Sequence, residues 1–243
     1  MIPSIPATYL SPSWHGAFPA EDAKIAVRFL QVTWDELLAI CPQGISYKKK
    51  KEDKITAFFG QIMRDRVEAA GLGGSFDYEI AYGCPNLSTG ELENSIRTDI
   101  RYTFPKEKDG TRRELIFEFK KLNNLKRSRD AYCYASGMGR FISGNYRAYW
   151  DIACMVGLLT DDATAAVTEL KKTIQTLALS DNPLHIQHAT TNEIIREPSE
   201  YMAGIANFDT IHSRNLYGDL PDLLLCHFFL NPPVGEAEVI DAV

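Results

Sequence analysis

No run of about 18 consecutive apolar residues occurs in this sequence, so it offers no candidate membrane span. Its first residues lack the basic-then-apolar pattern of a secretory leader, and we therefore expect a cytoplasmic protein with no membrane partner. Cysteine is sparse. Cys41, Cys84, Cys133, Cys154 and Cys226 are odd in number, scattered and without a CxxC spacing, which argues against a disulfide framework and against zinc. Most sit among apolar residues and read as small core side chains. His185 and His188 form an HxxH pair without a third ligand nearby, and His227, inside LLLCHFFL, reads as a core histidine. No GxxxxGK[ST] loop, GxGxxG fingerprint or GxSxG turn is present, which removes nucleotide hydrolysis and the nucleophile-elbow hydrolases. Net positive charge is missing as well. At −6 the chain would be a weak ligand for nucleic acid unless its basic residues cluster.

What remains is an ordinary globular composition, 45% hydrophobic and 24% charged over 243 residues, enough for one sizeable core. Residues 1–20, rich in Pro and Ser and carrying Tyr9, Leu10 and Trp14, read as a surface arm that docks elsewhere, and residues 21–243 as one domain. Helical spacing predicts helices over 21–29 and 33–39, the second opened by a Thr33/Glu36 capping box, and a stronger one from Glu52 to about Gly71. Strands follow at 76–82, 95–104 and 114–122. A helix over 129–143, a strand over 149–159, a helix from Asp161 and Asp162 to 179, and short strands near 184–188, 209–212 and 222–229 complete the order. This order predicts an α/β (α+β) fold with a mixed central sheet flanked by helices.

Residues 93–122 carry the chemistry. In an extended strand alternate side chains share a face, which puts Glu118 with Lys120, and Leu115 with Phe117 and Phe119. Asp99 shares a face with Arg97 and Arg101. If the turn at residues 106–110 makes the two strands neighbours, Asp99, Glu118 and Lys120 converge. Two carboxylates and the Phe119 carbonyl then offer hard oxygens to Mg²⁺, and the ammonium can orient a water. The same letters also describe an amphipathic hairpin with a solvated charged face. The apolar density of LIFEF favours a strand buried on both sides, where Glu118 needs a metal or a partner such as Lys120.

Asp99 followed by Glu118-Phe119-Lys120 resembles the PD-(D/E)xK nuclease superfamily, with Thr98 standing where a Pro usually precedes the Asp. The resemblance implies a restriction-endonuclease-like sheet, a Mg²⁺ cofactor that Mn²⁺ replaces, and DNA as substrate. It also implies a further acid near the start of the preceding helix, the place held by Glu52, with Asp53 and Glu68 as substitutes. Residues 134–146 (YASGMGRFISGNY) and the segment Ile211-His212-Ser213-Arg214 before LLLCHFFL look like nuclease domains of bacterial anti-phage systems, which implies partner subunits or self-assembly. In such families the region of Arg140 faces the site, where a guanidinium suits phosphate or a salt bridge. Tyr134 and Tyr146 read first as packing residues.

Two basic runs offset the acidic total: Lys48 to Lys51, and Lys120, Lys121, Lys126, Arg127 and Arg129. The second adjoins the proposed site and is our sequence-based choice for the substrate backbone, although such runs are usually solvated loops. Alternative readings are a catalytically silent interaction subunit, and a restriction-type or RNA-directed nuclease.

Overall fold

The structure is a computed structural model that describes residues 20–40, 47–86, 91–105, 113–144, 146, 151–160, 162–188, 190–217 and 220–232. The arm expected over 1–20 lies, apart from Ala20, outside the described residues, as does the turn at 106–110. Helices α1 (Ala20–Ile40) and α2 (Glu52–Arg66) come first, then strands β1 (Ser75–Tyr78), β2 (Ala81–Asn86), β3 (Glu91–Arg97), β4 (Ile100–Thr103) and β5 (Glu114–Leu122). Helices α3 (Lys126–Cys133) and α4 (Met138–Ile142), strand β6 (Ile152–Leu159), helix α5 (Ala163–Leu179) and strands β7 (Phe208–His212) and β8 (Leu223–Leu230) follow.

Six strands form a mixed sheet in the order β1-β4-β5-β6-β8-β7, and β2 pairs β3 in a separate antiparallel ribbon. The β5–β6 and β6–β8 pairs are parallel, the others antiparallel. Parallel neighbours need crossovers, and α3 with α4, then α5, supply them. The fold is therefore mixed α+β, with helices flanking both faces. Leu115, Phe117 and Phe119 enter one apolar cluster with Val27, Trp34, Phe59 and Phe76, while Ile116 and Leu122 enter a second with Tyr132, Phe141, Leu170 and Ile174. Central strands covered on both faces are continuous in hydrophobicity, which is why β6 reads IACMVGLL.

Several elements differ from the sequence-based expectation. Thr33 opens no helix: it is buried within α1, one continuous helix whose apolar stripe through Ala26, Leu30, Trp34 and Leu37 outweighs the capping pattern. The segment expected as one strand over 95–104 is shared between β3 and β4, which belong to different sheets. The helix expected over 129–143 is broken into α3 and α4 at Gly137, where an added Cβ would meet the Tyr132 carbonyl oxygen at 2.0 Å. Around 184–188 there is a single bridge between Ile186 and His212 instead of a strand.

Two contacts position the site. Helix α2 lies close against β1 because Gly60 has no side chain: a Cβ there would meet the Tyr78 Cβ at 2.5 Å. On the opposite face a fully buried relay joins α3 to β7 and β8. The Tyr132 hydroxyl meets His227 Nδ1 at 2.9 Å, Thr210 Oγ1 lies 2.9 Å from His227 Nε2 and 2.7 Å from His212 Nε2, and His212 Nδ1 meets the Leu184 carbonyl at 2.6 Å. The carbonyl accepts only, so with neutral rings every other proton in the chain has one assignment: Tyr132 donates to His227, His227 to Thr210, Thr210 to His212. Both histidines are core residues, and burial lowers both pKa values, that of His212 to about 4.

Candidate active site at the open edge of β5

The β4–β5 ladder stops at the pair Ile100↔Phe117, while β5 runs on to Leu122 paired only with β6. Backbone groups of Phe119 and Lys121, two and four residues beyond Phe117, point to the side that β4 vacates. Side chains take its place. The Phe119 amide donates to Asp99 Oδ2 at 2.8 Å, the Lys121 amide donates to Glu52 Oε2 at 2.6 Å, and the Phe119 carbonyl accepts from Lys120 Nζ at 2.7 Å.

Asp99 is held from its other side as well. Its carbonyl accepts from the Glu79 amide at 3.1 Å, and the Thr98 amide donates to the Ile80 carbonyl at 3.0 Å. A proline at position 98 would have no N–H for that bond, which gives the departure from the PD pattern a local reason. Glu52 arrives from the first turn of α2, where the free amides of the helix start favour a carboxylate.

Lys120 and Glu118 are 6% and 0% exposed, so each charge depends on its partners. Lys120 Nζ lies 2.7 Å from Glu118 Oε1 and 2.9 Å from Glu52 Oε1. Arg140 Nη1 donates to Glu118 Oε1 at 3.0 Å and to the Tyr146 hydroxyl at 2.8 Å, and that hydroxyl donates to Glu118 Oε2. Burial holds the Glu118 carboxyl above its ordinary value despite Lys120 and Arg140. Burial, then the charge of Glu118, push Asp99 up to about 7, with Lys120 and the Phe119 amide opposing. For Lys120 burial acts downward, but Glu118, Asp99 and Glu52 outweigh it and keep the ammonium protonated.

The structure thus brings Asp99, Glu118, Lys120, Glu52, Arg140 and the Phe119 backbone together. Arg101, expected to share a strand face with Asp99, is used elsewhere, bonding Asp77 and Glu114 at 3.1 Å each, and Asp99 itself stands in the link between β3 and β4. Asp53 and Glu68, the substitute acids, are exposed. Of the second basic run, Lys126 pairs with Asp130 at 2.6 Å, and Arg129 bonds Thr173 at 3.1 Å and the Asn124 carbonyl at 2.6 Å. Lys121 Nζ donates to the carbonyls of Lys48 and Lys50, and Arg127 is exposed. Tyr146 is the residue that the sequence reading undervalued: it packs edge-on against Phe141, but its hydroxyl belongs to Glu118. Its position six residues after Arg140 was the available signal.

Among the described residues, no group of three or more His, Cys, Asp or Glu side chains converges closely enough to hold a metal ion. The carboxylates are spread around the Lys120 ammonium, which touches Glu118, Glu52 and the Phe119 carbonyl. The donor set is nevertheless one of hard oxygens, and among the described residues the Asp99 carboxylate accepts one hydrogen bond, on Oδ2. Among the same residues no helix is long and apolar enough to cross a membrane. Compared with protein-family models, curated proteins and solved structures, the chain matches none.

Proposed function

We propose that this chain is a metal-dependent phosphodiesterase that cuts DNA at the open edge of β5. One observation carries the reading. Three carboxylates and a lysine from three separate elements meet where a sheet leaves backbone groups unpaired, and two of the charged residues, Glu118 and Lys120, are buried. Burial of charge is costly, and a cluster of this kind has a chemical use more readily than a structural one.

Asp99, Glu118 and the Phe119 carbonyl are the groups that would hold Mg²⁺, or Mn²⁺ in its stead, which fits their oxygen chemistry. Such an ion supplies Lewis-acid stabilisation of charge on the phosphate oxygens. The chain's own part is to place groups. Lys120, its ammonium already set between Glu118 and Glu52, holds and orients the attacking water. Glu52 and the Lys121 amide fix Lys120 at the strand end. Arg140 and Tyr146 hold Glu118 in one orientation and keep its charge compensated.

Resemblance to the PD-(D/E)xK superfamily supports a restriction-endonuclease-like fold. Its likeness to anti-phage nucleases extends the proposal to a cytoplasmic defence effector working with partner subunits or further copies of itself. The test is cleavage of plasmid, linear duplex, single-stranded DNA and RNA with Mg²⁺, Mn²⁺ or EDTA. Metal-dependent cutting of DNA that falls at least about 100-fold in Lys120→Met and Glu118→Gln supports the proposal. Intact substrates under all conditions would overturn it.

A second reading has its own observation: the Lys120 ammonium sits on two of the oxygens a metal would need. A chain in which the lysine permanently replaces the ion would keep the fold and cut nothing. Titration with Mn²⁺ separates the two, because the silent form takes up none.

A further inference from the structure

Of the two basic runs, the first stands nearer the site acid Glu52 in sequence. Lys48, Lys49, Lys50 and Lys51 are four consecutive exposed residues in the turn that enters α2, directly before the site acid Glu52. That turn is pinned on three sides. Tyr47 is buried against Trp34, with ring centroids 5.3 Å apart. Lys121 Nζ donates to the carbonyls of Lys48, at 3.0 Å, and of Lys50. Glu52 is locked to Lys120 and to the Lys121 amide.

The pinning has an electrostatic result. Glu52 spends its carboxylate on Lys120 and the Lys121 amide of β5, and so does not neutralise Lys50 or Lys51 beside it. Among the described residues the ammonium groups of Lys50 and Lys51 make no hydrogen bond or ion pair. In the second run Lys126 and Arg129 are instead committed to Asp130, Thr173 and Asn124, which leaves Arg127 as its exposed cation. In a chain of net charge −6, attraction for a polyanion has to come from a local patch, and this one stands on a fixed turn one to four residues from the site.

We infer that the Lys48–Lys51 turn is the docking surface for the DNA phosphate backbone, leading the duplex to the edge of β5. The inference rests on the proposed substrate but not on the cutting chemistry. A flexible lysine tail would lose side-chain and backbone freedom on binding, whereas a turn whose backbone is already stapled by Lys121 loses side-chain freedom alone.

The test is anisotropy of a labelled DNA duplex titrated with protein in EDTA at several KCl concentrations, with an RNA duplex of the same sequence as a second arm. Lys50→Ser/Lys51→Ser removes two phosphate contacts without touching Lys121. It should flatten the slope of log K against log salt by about 2, each contact being worth about 0.9. Lys126→Ser/Arg127→Ser should change it by less than half as much. An unaltered slope in the first variant, a larger change in the second, absence of DNA binding, or binding of RNA alone would each overturn the inference. Lysine-dependent DNA binding by a protein that cuts nothing with Mg²⁺ would instead sink the nuclease reading and leave this surface standing. Cleavage with an unaltered slope would do the reverse.

Discussion

Asp99 accepts the Phe119 amide at 2.8 Å in the position where the next backbone carbonyl of an adjacent strand would otherwise sit. The carboxylate is therefore a piece of the sheet as well as a candidate ligand. Removing it and removing its charge should have different results. Asp99→Ala leaves a buried amide without an acceptor and should cost about 1–3 kcal/mol of stability in urea denaturation. Asp99→Asn keeps an acceptor oxygen and should lose less than half of that while losing Mn²⁺ uptake. Equal stability losses in the two would show that the amide bond contributes nothing.

The pH dependence of stability should carry the mark of the same residue. Asp99 titrates at about 7 in the fold, above an ordinary carboxyl, so its stabilising share is full below about 4 and is lost as pH rises through 7. His212, held at about 4, acts in the opposite sense: its share is full above about 6.5 and lost as pH falls toward 4. Asp99→Asn should therefore make the fold relatively more stable at pH 8 than at pH 5, compared with the unaltered chain. Parallel stability curves for the two proteins would contradict this.

Lys120 competes with any bound cation for Glu118 and the Phe119 carbonyl. Lys120→Met should accordingly bind Mn²⁺ at least as tightly as the unaltered protein, read by calorimetry, while cleavage falls at least about 100-fold. Weaker Mn²⁺ binding in the variant would mean that the ammonium supports the metal site instead of occupying it.

The buried relay gives a prediction independent of function. Thr210→Val keeps the side chain's shape but leaves the His227 Nε2 donor and the His212 Nε2 acceptor unmatched, at about 1–3 kcal/mol for each buried group. Thr210→Ser restores both bonds and should recover most of the loss. Equal destabilisation by valine and serine would show that packing of the threonine methyl, not the relay, is what matters.

Much of the β5 region was legible because strand alternation is a short-range rule. The pairing of Glu118 with Lys120 and the apolar face through Leu115, Phe117 and Phe119 follow from it, while the meeting of β4 with β5 rested on the turn expected between them. The β2–β3 ribbon did not follow: Gly83 and Pro85 dilute the strand signal of Ala81–Asn86. Nor does any local pattern divide Ser95 to Phe104 between two sheets; that division is visible only once Thr98 bonds Ile80 and Asp99 bonds Glu79. Spending of Lys126, Arg129 and Lys121 on intramolecular partners was equally hidden, since a basic run reads the same whether its charges are free or committed. Glu52 stood between these cases. A carboxylate at a helix start is ordinary, and its reach to Lys121 is a tertiary fact.

The contacts that define the β5 edge are long in sequence. Glu52 reaches Lys120 and Lys121 across 68 and 69 residues, and Arg140 reaches Glu118 across 22. Closing loops of that size carries an entropy cost that only a nearly complete core offsets, so the cluster assembles late in folding. No fragment shorter than the span from Glu52 to Tyr146 contains it, and a chain still emerging from the ribosome has the lysine before it has the tyrosine that braces Glu118. Whatever this site does, it reports a finished fold.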